Sequence, residues 1–223
     1  MLTTTASLQQ PSLRDQALRV LREGMVSGEL APGEIYSATA LANQLGVSAS
    51  PVREAMLTLV NQGLMEAVRN RGFRVVPLDD NDRREIYEMR TLLEIPATAA
   101  LAGRQEIIDD NKKFRAIAKE IVTSARGGDL INYLDADRRF HMGLLEFSNN
   151  ERLVVAIEGL RDHTRQYGLQ EMAVKGTLVA SAEEHLPILD ALVAGDAEKV
   201  RELMQQHLRH IMGDWADPAL VQP

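Results

Sequence analysis

At 223 residues, with a formal net charge of −7, 45% hydrophobic and 26% charged residues, the chain has the balance of a soluble globular protein with room for two small domains. It contains no cysteine, which excludes disulfides, thiolate metal sites and cysteine nucleophiles, suits a reducing cytoplasm, and leaves His, Asp and Glu as the available metal ligands. Aromatics at 4% favour helices over sheets, and with no long apolar run and no basic flank in the opening MLTTTASLQQ, neither membrane insertion nor export is expected and a cytoplasmic location is.

From Ser12 onward, Leu13, Ala17, Leu18, Leu21 and Met25 recur at three- and four-residue intervals, predicting an amphipathic helix that ends near SGEL. APGE then turns the chain. Ser37 is placed to cap a second helix with Ala38, Leu41, Ala42 and Leu45 on its inner face, and Gly46 suits the left-handed residue that closes it. Ser48 can cap a third. Pro51 falls in that helix's first turn, where its missing N–H costs little, and Val52, Met56, Leu59, Val60 and Gly63 continue the apolar face. Residues 64 to 68 and 73 to 76 read as two short strands around Arg69, Asn70, Arg71 and Gly72, with glycine supplying the positive φ of the turn. The pattern is a winged helix-turn-helix.

Residues 48 to 76 carry four arginines against two acids, although residues 81 to 223 carry 24 acids against 18 bases. A mostly acidic surface disfavours indiscriminate binding to nucleic acid, so a local basic patch has a specific use. A helix presented by a supporting helix fits the major groove, which puts Arg53 towards base edges and Arg69, Arg71 and Arg74 towards phosphates or the minor groove. The stretch GEIYSATALANQLGVSASPVREAMLTLVNQGLMEAVRNRGFRVV resembles the winged helix of the GntR family of bacterial transcription regulators. In that resemblance Arg53 takes a recognition-helix arginine position. Ala49 stands where members of that family commonly carry arginine and Thr39 where some do, so base reading is expected to lean on Arg53, Ser48, Ser50 and the wing.

VPLDDND, with Pro77 and three aspartates, marks a joint over residues 77 to 81 between a DNA-binding domain of residues 1 to 76 and a second domain over 82 to 218. Six helices are predicted there, at about 82–102, 105–125, 129–147, 151–170, 177–194 and 196–214, punctuated by RGGDL, SNNE, VKGT and AGDAE. The fold class is mostly α: a winged helix followed by an antiparallel helical bundle. Asp137 and His141 share one helical face, while His185 and His207 lie on two further helices. Three helices of a bundle can bring these four side chains together as an N/O ligand set for a divalent metal, or as a buried histidine–carboxylate network. His163 and His210 have no comparable partner in the pattern and read as surface or structural.

IYEMRTLLE, DRRFHMGLLEFSNNERL, EEHLPILDALVAGDAEKV and MQQHL together resemble the FCD effector domain of FadR-type GntR regulators. The resemblance implies that Asp137, His141, His185 and His207 hold a divalent ion such as Zn, Ni or Mn, and that a small carboxylate effector binds there, with Arg90, Asn150 and Arg161 as its candidate contacts. Arg90 also stands one turn before Glu94, where an ion pair is expected, and Asn150 is placed to cap the following helix. Together these readings give a homodimeric, metabolite-responsive repressor of a palindromic operator in double-stranded DNA. The alternatives are a hydrolase using the same four residues, with Glu183 or Glu184 as base, and an effector-independent DNA binder with a structural metal.

Overall fold

The computed structural model describes residues 12–212, with side chains throughout except 164–171, 174–175 and 210–212; residues 1–11 and 213–218 of the expected domains, and the side chain of His210, lie outside that description. The chain separates into two compact units, Met1–Pro77 and Leu78–Pro223.

In the first unit, α1 (Leu13–Ser27) opens at Ser12, whose hydroxyl accepts the Asp15 N–H at 3.1 Å. α2 (Ala38–Leu45) is capped by Ser37, which accepts the Ala40 N–H at 3.1 Å, and is closed by left-handed Gly46. α3 (Ala49–Asn61) packs on both. Ser48 is its N-cap residue, but the side chain makes no capping hydrogen bond, unlike the expectation. Val52, Ala55, Met56 and Leu59 are fully buried against a cluster including Leu21, Met25, Leu41 and Phe73. Each large side chain so buried stabilises the unit by about 1.5–3 kcal/mol. Gly63 does not extend this face, because α3 ends at Asn61 and Gly63 is exposed with a φ of 74°.

The wing has three strands rather than two: β1 (Ile35–Tyr36), β2 (Met65–Val68) and β3 (Gly72–Val75), in the antiparallel order β1-β3-β2. Tyr36 pairs with Phe73 and Ile35 with Arg74. A two-residue strand is too short to show an alternation in sequence, so β1 was invisible there. It also changes the reason for Gly72. The left-handed turn residue is Asn70, with φ 58°, whereas Gly72 has φ 133° and a Cβ placed on it would sit 2.3 Å from the Tyr36 carbonyl oxygen.

The second unit has eight helices among the described residues, where six were expected. They are α4 (Asp80–Ala99), α5 (Gln105–Asp109), α6 (Asn111–Gly127), α7 (Leu130–Glu146), α8 (Glu151–Lys175), α9 (Thr177–Glu183), α10 (His185–Ala194) and α11 (Ala197–Met212). A capping box between Asp79 and Asp82 starts α4 two residues earlier than expected and shortens the joint. Two expected helices are each broken once. The first break falls at Asp110, within the run Asp109, Asp110 and Asn111, residue types of low helix propensity. The second falls at Glu184, because Pro187 lacks an N–H and its ring crowds the carbonyl four residues back, that of Glu183. This break sets His185 at the head of its own helix.

Within this unit α7 packs on α6 and α8, and α4 packs on α8 and α11, around Phe114, Ile121, Phe140, Leu144, Ile188 and Leu192. No helix among the described residues is long and apolar enough to cross a membrane.

Candidate metal centre and DNA-facing surface

α7 presents Asp137 and His141 one turn apart, α10 presents His185 at its first residue, and α11 presents His207. All four are buried, and one candidate ligand atom from each lies within 4.8 Å of the others. His141 Nε2 is 3.1 Å from His185 Nε2 and 3.5 Å from Asp137 Oδ1, and His185 Nε2 is 3.2 Å from the same oxygen. Phe140 closes one side with its ring edge-on to those of His141 and His185, at centroid distances of 5.3 and 5.0 Å. The four residues singled out by spacing therefore meet at one point.

The outer ring nitrogens establish which way the lone pairs face. His185 Nδ1 is 2.9 Å from the Ala182 carbonyl oxygen, which only accepts, so this nitrogen donates and Nε2 is the one turned towards the cluster. His207 Nδ1 donates in the same way to Glu184 Oε2 at 2.9 Å. Burial, with Arg161 adding to it, holds the His141 pKa well below the ordinary histidine range. For His207 burial likewise dominates and brings the pKa down to about 4, against the opposing effect of the hydrogen bond it donates to Glu184. Both rings are neutral at pH 7, the form that ligates metal.

A layer of buried charge lies against this cluster. Arg161 Nη2 donates to Asp137 Oδ2 at 2.8 Å, leaving Oδ1 towards the histidines, and Arg161 Nη1 donates to Glu94 Oε1. Arg90 Nε donates to Glu94 Oε2 at 2.8 Å, which is the ion pair expected from their spacing. Burial alone would raise the Glu94 carboxyl, but Arg161 and Arg90 overcome it and hold the group well below the carboxylate range. Neutral His141 adds little to that. Asn150 is separate: it is exposed, its side-chain oxygen accepts the Leu153 N–H at 3.1 Å, and no described contact joins it to the four candidate ligands. It caps α8. His163 is half-buried.

Sequence reasoning missed two connections. Arg161 is joined to Asp137 and Glu94 from other helices, and Glu184 is joined to His207 across 23 residues. Neither pair has a local spacing signal. The adjacency of Glu184 to His185 was the only trace in the chain.

In the first unit, Thr39, Ser48, Ser50 and Arg53 are exposed on α2 and at the start of α3, and Arg69 and Arg71 are exposed at the wing tip. Ser50 Oγ donates to Glu54 at 3.2 Å. Arg74 is tied to Glu66 across the hairpin at 2.8 Å, so the tip arginines carry more of the outward positive charge.

A winged helix-turn-helix followed by a helical unit with a buried polar centre defines a two-part regulator of transcription. Residues 13–75 match the bacterial regulatory proteins of the gntR family and residues 85–210 match the FCD domain, so the chain belongs to the GntR-family DNA-binding transcription regulators that carry an FCD domain. A helix-turn-helix-type regulator from Streptomyces ambofaciens is 32% identical over 203 residues, covering 87% of this chain and 81% of that protein. The regulator McbR of Escherichia coli is 29% identical over 210 residues, covering 92% and 95% respectively. A probable D-xylose utilization operon repressor of Paenarthrobacter nicotinovorans is 29% identical, covering 92% and 89%. The solved structure of E. coli McbR/YncC shares the fold, with a TM-score of 0.77 at 24% identity over 94% of this chain and all of that one. These proteins are transcription regulators and not enzymes, which sets the hydrolase alternative aside.

Proposed function

We propose that the protein is a homodimeric, metabolite-responsive repressor whose helical unit holds one divalent ion on Asp137, His141, His185 and His207 and takes a small carboxylate effector at that ion. The observation supporting the metal is the convergence of acceptors. One candidate ligand atom from each of the four buried residues lies within 4.8 Å of the others, with His141 Nε2 and His185 Nε2 3.1 Å apart and Asp137 Oδ1 beside both, so a cation at their centre would be shared by all of them. The donor set also fits in size: metal bonds of about 2.0–2.2 Å at right or tetrahedral angles separate neighbouring ligand atoms by about 2.8–3.6 Å. The separations among Asp137, His141 and His185 are 3.1, 3.2 and 3.5 Å, and His207 completes the set within 4.8 Å.

Zn, Ni and Mn all suit this imidazole and carboxylate set, and a bound ion that prefers more than four ligands supplies a Lewis-acid position for an effector carboxylate. The side chains do the rest. Arg161 orients Asp137, His185 and His207 are held by their outer nitrogens, and Arg90 and Arg161 place positive charge beside the centre. Asn150 is left out of the effector site in this reading, since its side chain is engaged in the α8 cap.

For DNA, Arg53, Ser48, Ser50 and Thr39 face the bases and Arg69 and Arg71 the backbone or minor groove. Two copies related by a two-fold axis read a palindromic operator. An effector that binds the DNA-free state tenfold more tightly shifts the equilibrium by about 1.4 kcal/mol per site.

The test is elemental mass spectrometry on chelator-free protein, wild type and the His141→Ala, His207→Ala double variant. About one equivalent per chain, lost in the variant, is expected, and should be followed by release of selected operator fragments on addition of small carboxylates. A metal-free wild type, or full metal retention in the variant, overturns the reading.

A further inference from the structure

Three histidines of the cluster have their outer nitrogens facing three different partners. His185 uses the Ala182 carbonyl, a backbone group that no side-chain change removes. His141 Nδ1 is 3.7 Å from Glu94, beyond hydrogen-bond reach, and that carboxylate is engaged by two arginines. His207 Nδ1 meets a side-chain carboxylate at full hydrogen-bond distance, Glu184 Oε2 at 2.9 Å. Glu184 is itself steadied, since Gln206 Nε2 donates to its other oxygen at 2.9 Å.

The place of Glu184 in the chain adds to this. It is the single residue between α9 and α10, at the break that Pro187 imposes, and it directly precedes the ligand His185. One residue thus adjoins a candidate ligand through the backbone and orients another through its side chain on α11.

We infer that Glu184 is the positioning residue of the metal centre: it holds His207 in the Nδ1–H tautomer, aims the bare Nε2 at the ion, and thereby sets the affinity for a divalent cation. The inference rests on the metal reading above. A carboxylate on the outer nitrogen of a ligating histidine fixes the ring and raises its basicity, and losing such a partner costs about 10–100-fold in metal affinity. Glu184 also differs from Glu94 in a way that makes it testable. Its side chain is 13% exposed, while that of Glu94 is fully buried between Arg90 and Arg161, whose charges replacing it would strand.

The experiment uses the full chain as wild type, Glu184→Ala, Glu184→Gln and, as a control at the same junction, Glu183→Ala, which loses only the exposed pair with Arg126. Zinc affinity is measured by competition with a chromogenic chelator. The His207 tautomer is read separately, in chelated protein, from long-range proton–nitrogen correlation of the imidazole.

Glu184→Ala is expected to bind zinc about 10–100-fold more weakly and to lose the single Nδ1–H tautomer. Glu184→Gln, whose amide oxygen still accepts, is expected to retain the tautomer and recover part of the affinity, and Glu183→Ala to match wild type. Wild-type zinc affinity together with an unchanged tautomer in Glu184→Ala overturns the inference. Failure of the wild type to bind zinc at all instead overturns the metal reading, and the tautomer measurement still tells whether Glu184 governs the ring.

Discussion

Arg161→Met removes the guanidinium that joins Asp137 to Glu94 while keeping a side chain of similar length. Arg161 is 3% exposed, Glu94 is fully buried and Asp137 is 5% exposed, so solvent cannot take over the lost contacts. One hydrogen-bonded ion pair at 2.8 Å to Asp137 and a second to Glu94 are lost together, although Arg90 still neutralises Glu94. Breaking a buried ion pair from one side costs about 3–5 kcal/mol, and the retained Arg90 keeps the expected loss within that range despite two anions being affected. Urea unfolding of the chelated full-length chain at fixed protein concentration measures it. Adding Glu94→Met to Arg161→Met should give a double variant less destabilised than the sum of the singles by about 0.5–3 kcal/mol, because the anion left behind is gone. A loss under about 1 kcal/mol for Arg161→Met, or strict additivity, would refute the view that these groups form one coupled network.

In the chelated protein, His207 with its pKa at about 4 binds its proton later than the unfolded chain does near 6.5, so the stability it contributes is complete above pH 6.5 and falls by about 3 kcal/mol as the pH drops towards 4. Denaturation midpoints across that window, compared with His207→Gln, test this, and an equal slope in the variant counts against it. Gly72→Ala drives a Cβ to 2.3 Å from the Tyr36 carbonyl at a φ of 133°, and should destabilise the winged unit by about 2 kcal/mol or more while abolishing DNA binding. A wild-type melting curve for this variant would contradict the close approach of β1. Arg69→Ala with Arg71→Ala should reduce the slope of log affinity against log salt for duplex DNA by about 1.8, measured by fluorescence anisotropy, if each arginine neutralises one phosphate. An unchanged slope would move the wing off the backbone.

Much of the site was legible in the chain because it depends on local periodicity. Asp137 and His141 are one turn apart, Arg90 and Glu94 likewise, and helix geometry turns such spacing directly into proximity. The winged helix was legible for the same reason, since Ser37, Gly46 and the apolar stripe of α3 each specify a local conformation. What the sequence by itself determined is therefore the set of amphipathic elements, their caps, and which candidate ligands share a face. The tertiary structure alone decided the rest: that β1 completes the wing and forces glycine at 72, that α7, α10 and α11 bring one carboxylate and three imidazoles to a point, and that Arg161 and Glu184 orient them from afar. Those outcomes depend on pairings between residues 23 to 67 positions apart, where packing and burial, not periodicity, select the partner.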